Sequence, residues 1–241
     1  MLKFLGTSTP ANLLIESPSL NISDMTQAMA ASVDLAAQIT ARIDQGELTP
    51  GTRLSEVTLA EELGVSRNTL REAFRVLMRD GLVDHIPNRG VFVHTFNKDD
   101  VNDLYDYRIF VELSAIRAAQ HNPKNLKASL KAMKKAYELG AAANKKGDWQ
   151  TVGSANSAFH LAIVDLAGVA RLTAEARKVL ALARIGFMAT YNSETFHSSY
   201  VEMNHQILKH LTAKEFEQAE YYLRKYFERS RKDLLAHLPD N

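Results

Sequence analysis

The sequence predicts a mainly α protein in two parts: a few short helices closed by a small β-hairpin, followed by an all-helical bundle. Three observations carry this expectation. A glycine at Gly64 separates two helical stripes, two β-prone runs flank Pro87-Asn88-Arg89-Gly90, and helical periodicity without a convincing strand runs from Val101 to about Leu238. At 241 residues the chain exceeds the usual size of one domain. The expected division is a flexible leader over 1–30, a first domain over 31–95, a linker over 96–100 and a helical domain over 101–238. In the leader, Glu16 interrupts the apolar Leu13-Leu14-Ile15 and only Lys3 precedes it, which argues against a secretory signal.

Leu35, Ile39 and Ile43 share one helix face, and Gly46 and Pro50-Gly51 stop that helix. Arg53-Leu54-Ser55-Glu56 then leads into a second helix with Leu59, Ala60 and Leu63 on its apolar stripe. Gly64 permits a left-handed turn and Ser66 is placed to cap a third helix. In that helix Arg67, Arg71 and Arg75 recur every fourth residue, while Leu70, Phe74, Leu77 and Met78 take the opposite side. Gly81 ends it, and Leu82–Ile86 and Val91–His94 form the hairpin. An amphipathic helix whose arginines are merely solvated would show the same spacing. The hairpin directly behind it favours a winged helix-turn-helix, a DNA-reading unit whose hairpin tip can lay an arginine beside the minor groove.

Gly46, Leu48, Pro50-Gly51, Leu54-Ser55-Glu56, Leu59-Ala60, Leu63-Gly64-Val65-Ser66-Arg67, Leu70-Arg71-Glu72-Ala73, Leu77, Gly81-Leu82-Val83 and Arg89-Gly90 together resemble the GntR family of bacterial transcription regulators, over roughly residues 32–95. Asn68-Thr69-Leu70 stands where many relatives have Thr-Pro-Val, a departure that bears on base preference, since asparagine can read adenine bidentately. The resemblance implies double-stranded operator DNA as partner and a homodimer reading a palindrome. Arg67 and Arg71 are then expected at base edges, and Ser66, Asn68 and Thr69 in phosphate or base hydrogen bonds. Arg53 and Arg75 are expected on phosphates, with Arg89 and Gly90 placing the wing tip.

A net charge of +1 means that any DNA-facing potential must be local. The absence of cysteine excludes disulfides, thiolate metal sites and a cysteine nucleophile, and no apolar run approaches a membrane span, so a cytoplasmic location is expected.

Beyond His94, helices are expected over 101–120, 125–146, 148 or 149 to 166, 170–191, 198–211 and 214–237, the first capped by Asp99 or Asp100. Val101, Tyr105, Arg108, Glu112, Ala115 and Ala119 step by three or four, which puts a cation and an anion on or near a buried stripe. Arg108 either pairs with Glu112 as a modest surface contact or faces a cavity and offers its fork to a carboxylate. Tyr105, Arg108, Glu112 and Phe159-His160 resemble the FCD-type effector domain of the FadR branch of this family. Many such domains hold a divalent metal with an Asp and three His. Here Asn156 stands four before His160, the second His falls at Asn204 or, with a one-residue slip, at His205, and the last falls at Tyr226. The amides and the phenol are poor ligands, so no cofactor is expected. A metal, if bound, would take His160, His205 and Asn156. Arg108, Asn156, His160, Asn204 and Tyr226 suit a carboxylic or sugar acid instead, or are simply satisfied core residues.

Two further classes offer themselves. His160, Glu202, His205 and Tyr226 have the chemistry of an acid–base site, but no nucleophile motif or phosphate loop supports an enzyme. An architectural DNA protein would have a solid helical domain without a cavity.

Overall fold

The computed structural model describes residues 22–188 and 194–238. Helix α1 (Ile22–Asp44) precedes strand β1 (Arg53–Leu54), α2 (Glu56–Glu62), α3 (Arg67–Arg79), β2 (Val83–Ile86) and β3 (Gly90–Val93). Then come α4 (Lys98–Ala119), α5 (Pro123–Asn144), α6 (Trp149–Val164), a 3-10 turn (Asp165–Ala167), α7 (Ala170–Met188), α8 (Glu194–Thr212) and α9 (Phe216–His237).

Several boundaries differ from the sequence expectation. The supposed leader is helical from Ile22, and its earlier part lies outside the described residues. Arg53-Leu54, expected as a lead-in, is a strand that pairs antiparallel with β3 and makes a three-stranded sheet of order β1-β3-β2. Neither Asp99 nor Asp100 caps α4. Asn97 does so, its side chain accepting from the Asp99 and Asp100 amides, while the Asp100 carboxylate accepts from the Asn97 amide. The linker is correspondingly shorter than expected. Helix α5 begins earlier than expected because Pro123 fits the first turn behind the Asn122 cap, and α6 gives way to the 3-10 turn, closed by left-handed Gly168. Helix α7 is described only to Met188, so its expected extension to 191 lies outside the described residues.

Ser66 caps α3 as the sequence expects, accepting from the Thr69 amide at 3.1 Å. Helix α3 drives Leu70, Phe74 and Leu77 into a core with Leu35, Ile39 and Ile43 of α1 and with Val83, Val91 and Val93 of the sheet. Ala181, Ile185 and Met188 of α7 belong to that same core. The helical bundle has its own core, in which Tyr105, Ile116, Phe159, Ile207, Leu223 and Phe227 are buried.

An ionic cluster lies inside the bundle. The Arg108 Nε donates to Glu112 Oε1 at 2.9 Å, and His160 Nδ1 lies 2.6 Å from Glu112 Oε2. All three side chains are buried, so the pair is not the surface contact that spacing alone allowed. The Arg108 guanidinium also sits over the Phe227 ring at 4.9 Å. Burial lowers the His160 pKa below 6.5 despite the neighbouring carboxylate, so the ring is neutral. Burial disfavours the Glu112 carboxylate, but Arg108 and His160 outweigh it and hold its pKa below 4.5.

Two stability outcomes are expected. Phe74→Ala removes a fully buried ring from the first core and costs about 3–5 kcal/mol, read by chemical denaturation. His160 stays neutral when folded but protonates near 6.5 when unfolded, so its contribution is present above that pH and lost as pH falls. Stability should decline below it with a slope approaching about 1.4 kcal/mol per pH unit from this group. The lowered Glu112 pKa adds loss only at more acid pH. Denaturation from pH 7.5 to about 5 should show a shallower slope in His160→Gln than in the parent.

Candidate nucleic-acid interface and effector cavity

The Gly64 turn, at φ 64°, angles α3 away from α2, and its outward flank carries exposed Arg67, Asn68, Arg71 and Arg75. Ser66 is committed to the cap, and its hydroxyl is also 2.8 Å from Thr69 Oγ1. These two residues fix the start of the helix before they can offer anything to a ligand. Arg71 Nε donates to Glu56 Oε2 at 2.8 Å, which ties it to α2, and Arg75 pairs with Glu72 one turn earlier. Glu56 was not singled out by the sequence, since nothing in its spacing shows that it reaches α3.

The wing turns through Asn88 at φ 64° and Gly90 at φ 107°, with Arg89 N bonded to Ile86 O at 3.0 Å. Exposed Arg89 lies over the Phe92 ring at 5.7 Å. Pairing of β1 with β3 brings Arg53 alongside, so that a Cβ on Gly90 would lie 3.5 Å from Arg53 Nε. Arg53 and Arg89 therefore belong to one wing surface, and the three arginines of α3 to another.

The second site is a cavity of about 40 Å³ among α4, α5, α6, α7, α8 and α9. Arg108, Asn156, Asn204 and Tyr226 line it, joined by Arg184, which the sequence reading did not select. Asn204 Nδ2 donates to Asn156 Oδ1 at 2.8 Å, and the Tyr226 hydroxyl lies 3.0 Å from Asn156 Nδ2 and 3.2 Å from its Oδ1. Arg108 Nη2 and Asn204 Oδ1 are buried without a hydrogen-bond partner. The cavity wall thus includes residues with a donor and an acceptor still to be satisfied.

His160 does not line the cavity, contrary to its expected role there. Its Nδ1 is turned to Glu112, and its ring packs 4.6 Å from that of Tyr226, behind the wall. His205 lies on the outer side of α8, stacked on Tyr137 at 4.8 Å, so the one-residue slip that would make it a ligand does not occur. The four positions that the family pattern fills with metal ligands converge, but their donors do not suit a cation. Asn156 Oδ1 already meets an amide and a phenol, and the Glu112 carboxylate behind them is taken up by Arg108 and His160. Among the described residues no group of three or more His, Asp or Glu could hold a metal.

The pattern defining "Bacterial regulatory proteins, gntR family" matches residues 31–93, and that of the FCD domain matches residues 103–229. The chain is 43% identical over 70 residues to the Nta operon transcriptional regulator of Aminobacter aminovorans, a match that spans 29% of this chain and 33% of that protein. It is 29% identical over 189 residues to the probable D-xylose utilization operon transcriptional repressor of Paenarthrobacter nicotinovorans, covering 77% of this chain and 80% of that one. A crystal structure of a putative transcriptional regulator GntR from Rhodococcus sp. RHA1 superposes with a TM-score of 0.76 at 31% identity, covering 87% of this chain and 100% of its own. The chain therefore belongs to the GntR family of bacterial DNA-binding transcription regulators, with an FCD domain behind its winged helix, and is not an enzyme.

Proposed function

We propose that this regulator binds a palindromic operator as a homodimer and is switched by a small organic or sugar acid held in the helical domain. The observation that carries the effector reading is Arg108. Its guanidinium is buried at a cavity wall and paired with Glu112 through Nε, and one terminal nitrogen lacks a hydrogen-bond partner. An architectural protein with a solid helical domain would have no reason to hold an unsatisfied cation beside a void. Repression is the proposed mode, supported by the repressor named among the relatives. Exposed Phe110 on α4, and Met29 and Val33 on α1, offer apolar surface for a second copy. No helix among the described residues is long and apolar enough to cross a membrane, which is compatible with the proposed cytoplasmic location.

Two measurements test this reading. In operator binding across a salt series, Arg71→Ala should lose about 1–3 kcal/mol of discrimination at one base pair. Arg53→Ala and Arg75→Ala should weaken matched and mismatched sequences alike and reduce the salt slope by about 1. Equal loss of specificity in all three variants rejects the assignment. For the effector, operator affinity of the parent should shift by about 5- to 150-fold with the right acid. That shift should vanish in Arg108→Met, and indifference to every acid that binds the helical domain rejects the switch.

A further inference from the structure

Arg184 joins the cavity to the DNA-binding domain. It projects from α7, is almost fully buried, and lines the cavity together with Arg108. Its Nε donates at 3.0 Å to the carbonyl of Asp44, the last residue of α1, and its Nη2 donates at 3.1 Å to the carbonyl of Gln150 in the first turn of α6. The end of α1 thus rests on a cation at the pole where helix carbonyls lack partners. Ser154 Oγ also donates to the Asp44 carbonyl at 3.2 Å, and the Gln150 side chain donates to the Gln45 carbonyl.

Two facts mark this arginine as placed for more than packing. Gly153 sits in the second turn of α6, where glycine costs a helix about 1 kcal/mol relative to alanine. A Cβ there would lie 2.1 Å from Arg184 Nη1 and 2.2 Å from its Cζ, so only glycine leaves room for the guanidinium. The charge is also held out of water. Burial pushes the Arg184 pKa down to about 10, offset only in part by Asp44, whose carboxyl burial raises above its usual value.

Resting on the effector reading above, we propose that Arg184 is the coupling residue. A short 2-hydroxy acid entering the cavity draws its guanidinium off the Asp44 and Gln150 carbonyls and releases the end of α1 from the helical domain. The ligand class follows from size and donors. A cavity of about 40 Å³ takes on the order of three water-sized groups at about 10–15 Å³ each, so a short acid fits only with the space the guanidinium vacates and a sugar acid does not fit. The carboxylate meets Arg108 and Arg184, and the hydroxyl donates to Asn204 Oδ1, the acceptor that lacks a partner. In a dry cavity a full negative charge outcompetes two carbonyl dipoles for a guanidinium. The guanidinium is pressed against Gly153, so a shift toward the ligand breaks the contacts to α1. Helix α1 has room to respond, because a cleft of about 350 Å³ lies between it and α6 and α7, bordered by Ala37, Thr40, Ser157 and Ala181.

The test uses the full chain with glycolate, lactate, acetate and gluconate, measuring binding by calorimetry and amide hydrogen exchange of residues 44–48. Glycolate or lactate should bind, acetate about tenfold more weakly for want of the hydroxyl, and exchange in that segment should rise about tenfold with ligand. Gly153→Ala, with helix content checked by circular dichroism, should show raised exchange there without ligand and no further response. Arg184→Met should do the same and bind glycolate more weakly. Binding that leaves exchange at 44–48 unchanged or slower overturns the coupling role and leaves the effector reading standing. Binding of gluconate alone overturns the ligand class only. Failure of all four acids to bind the parent overturns the proposal outright, while loss of the effector reading itself requires operator affinity indifferent to every acid.

Discussion

Helix α7 belongs to two cores at once, and the placement of everything else follows from that. Ala181, Ile185 and Met188 lie on one face and pack into the core of the winged helix, while Ala183 and Phe187 lie on the other and pack into the bundle. A helix buried on both faces cannot turn or slide without disturbing both layers, because packed interiors have little free volume. Lys178, one turn before this segment, adds a 3.3 Å contact to Asp80 at the end of α3. Helix α7 packs on α1, and α1 packs on the recognition helix, so α7 holds α3 through α1 and through the Lys178–Asp80 contact.

The bundle interior tolerates a buried ionic cluster because the charges are arranged in a chain. Arg108 neutralises Glu112, and Glu112 orients the neutral imidazole of His160. Removing Arg108 or Glu112 leaves the other charge unpaired in low dielectric and costs about 3–5 kcal/mol. The amides and phenol next to it satisfy much of each other's hydrogen-bonding capacity, which is how this chain fills with neutral groups the place where the family pattern puts a cation. Arg108 Nη2 and Asn204 Oδ1 remain without a hydrogen-bond partner, and both residues line the cavity. On the proposed reading the cavity suits an anion that also carries a hydroxyl.

Much of the DNA-reading half was legible in the sequence because its signals are local. The stripe Leu70, Phe74 and Leu77, the cap Ser66 and the turn Gly64 act within one or two helical turns, and the structure places each in that role. Strand β1 was not legible, since two residues carry no periodicity and the strand exists only by pairing with residues far along the chain. Asn97 was passed over as a cap because two aspartates behind it carry the same chemistry, and only the backbone geometry decides among them. The cavity was legible through Arg108, Asn156, Asn204 and Tyr226, but His160 points away from it because a contact with Glu112, 48 residues distant, wins. Arg184 was not selected, because nothing in its spacing along α7 sets it apart from other helix cations. The signal that could have found it was Gly153, a glycine in a helix interior with no turn to justify it.

A net charge of +1 forces a choice about how this protein meets a polyanion. Arg71 and Arg75 are paired with Glu56 and Glu72, so their charges are largely cancelled in the free protein, whereas among the described residues Arg67, Arg53 and Arg89 form no ion pair. On the proposed assignment, phosphates meet Arg53 and Arg89 of the wing first, and Arg75 reaches a phosphate by giving up Glu72, so these set the salt-dependent affinity for any sequence. Arg71 gains from DNA only where a base edge offers more than the carboxylate it must give up. An exposed ion pair is worth about 0.2–1 kcal/mol, while a bidentate arginine–guanine contact is worth about 1–3 kcal/mol. The exchange is favourable at a guanine and close to neutral elsewhere, so the pairing with Glu56 lowers non-specific affinity more than specific affinity and sharpens the reading of sequence.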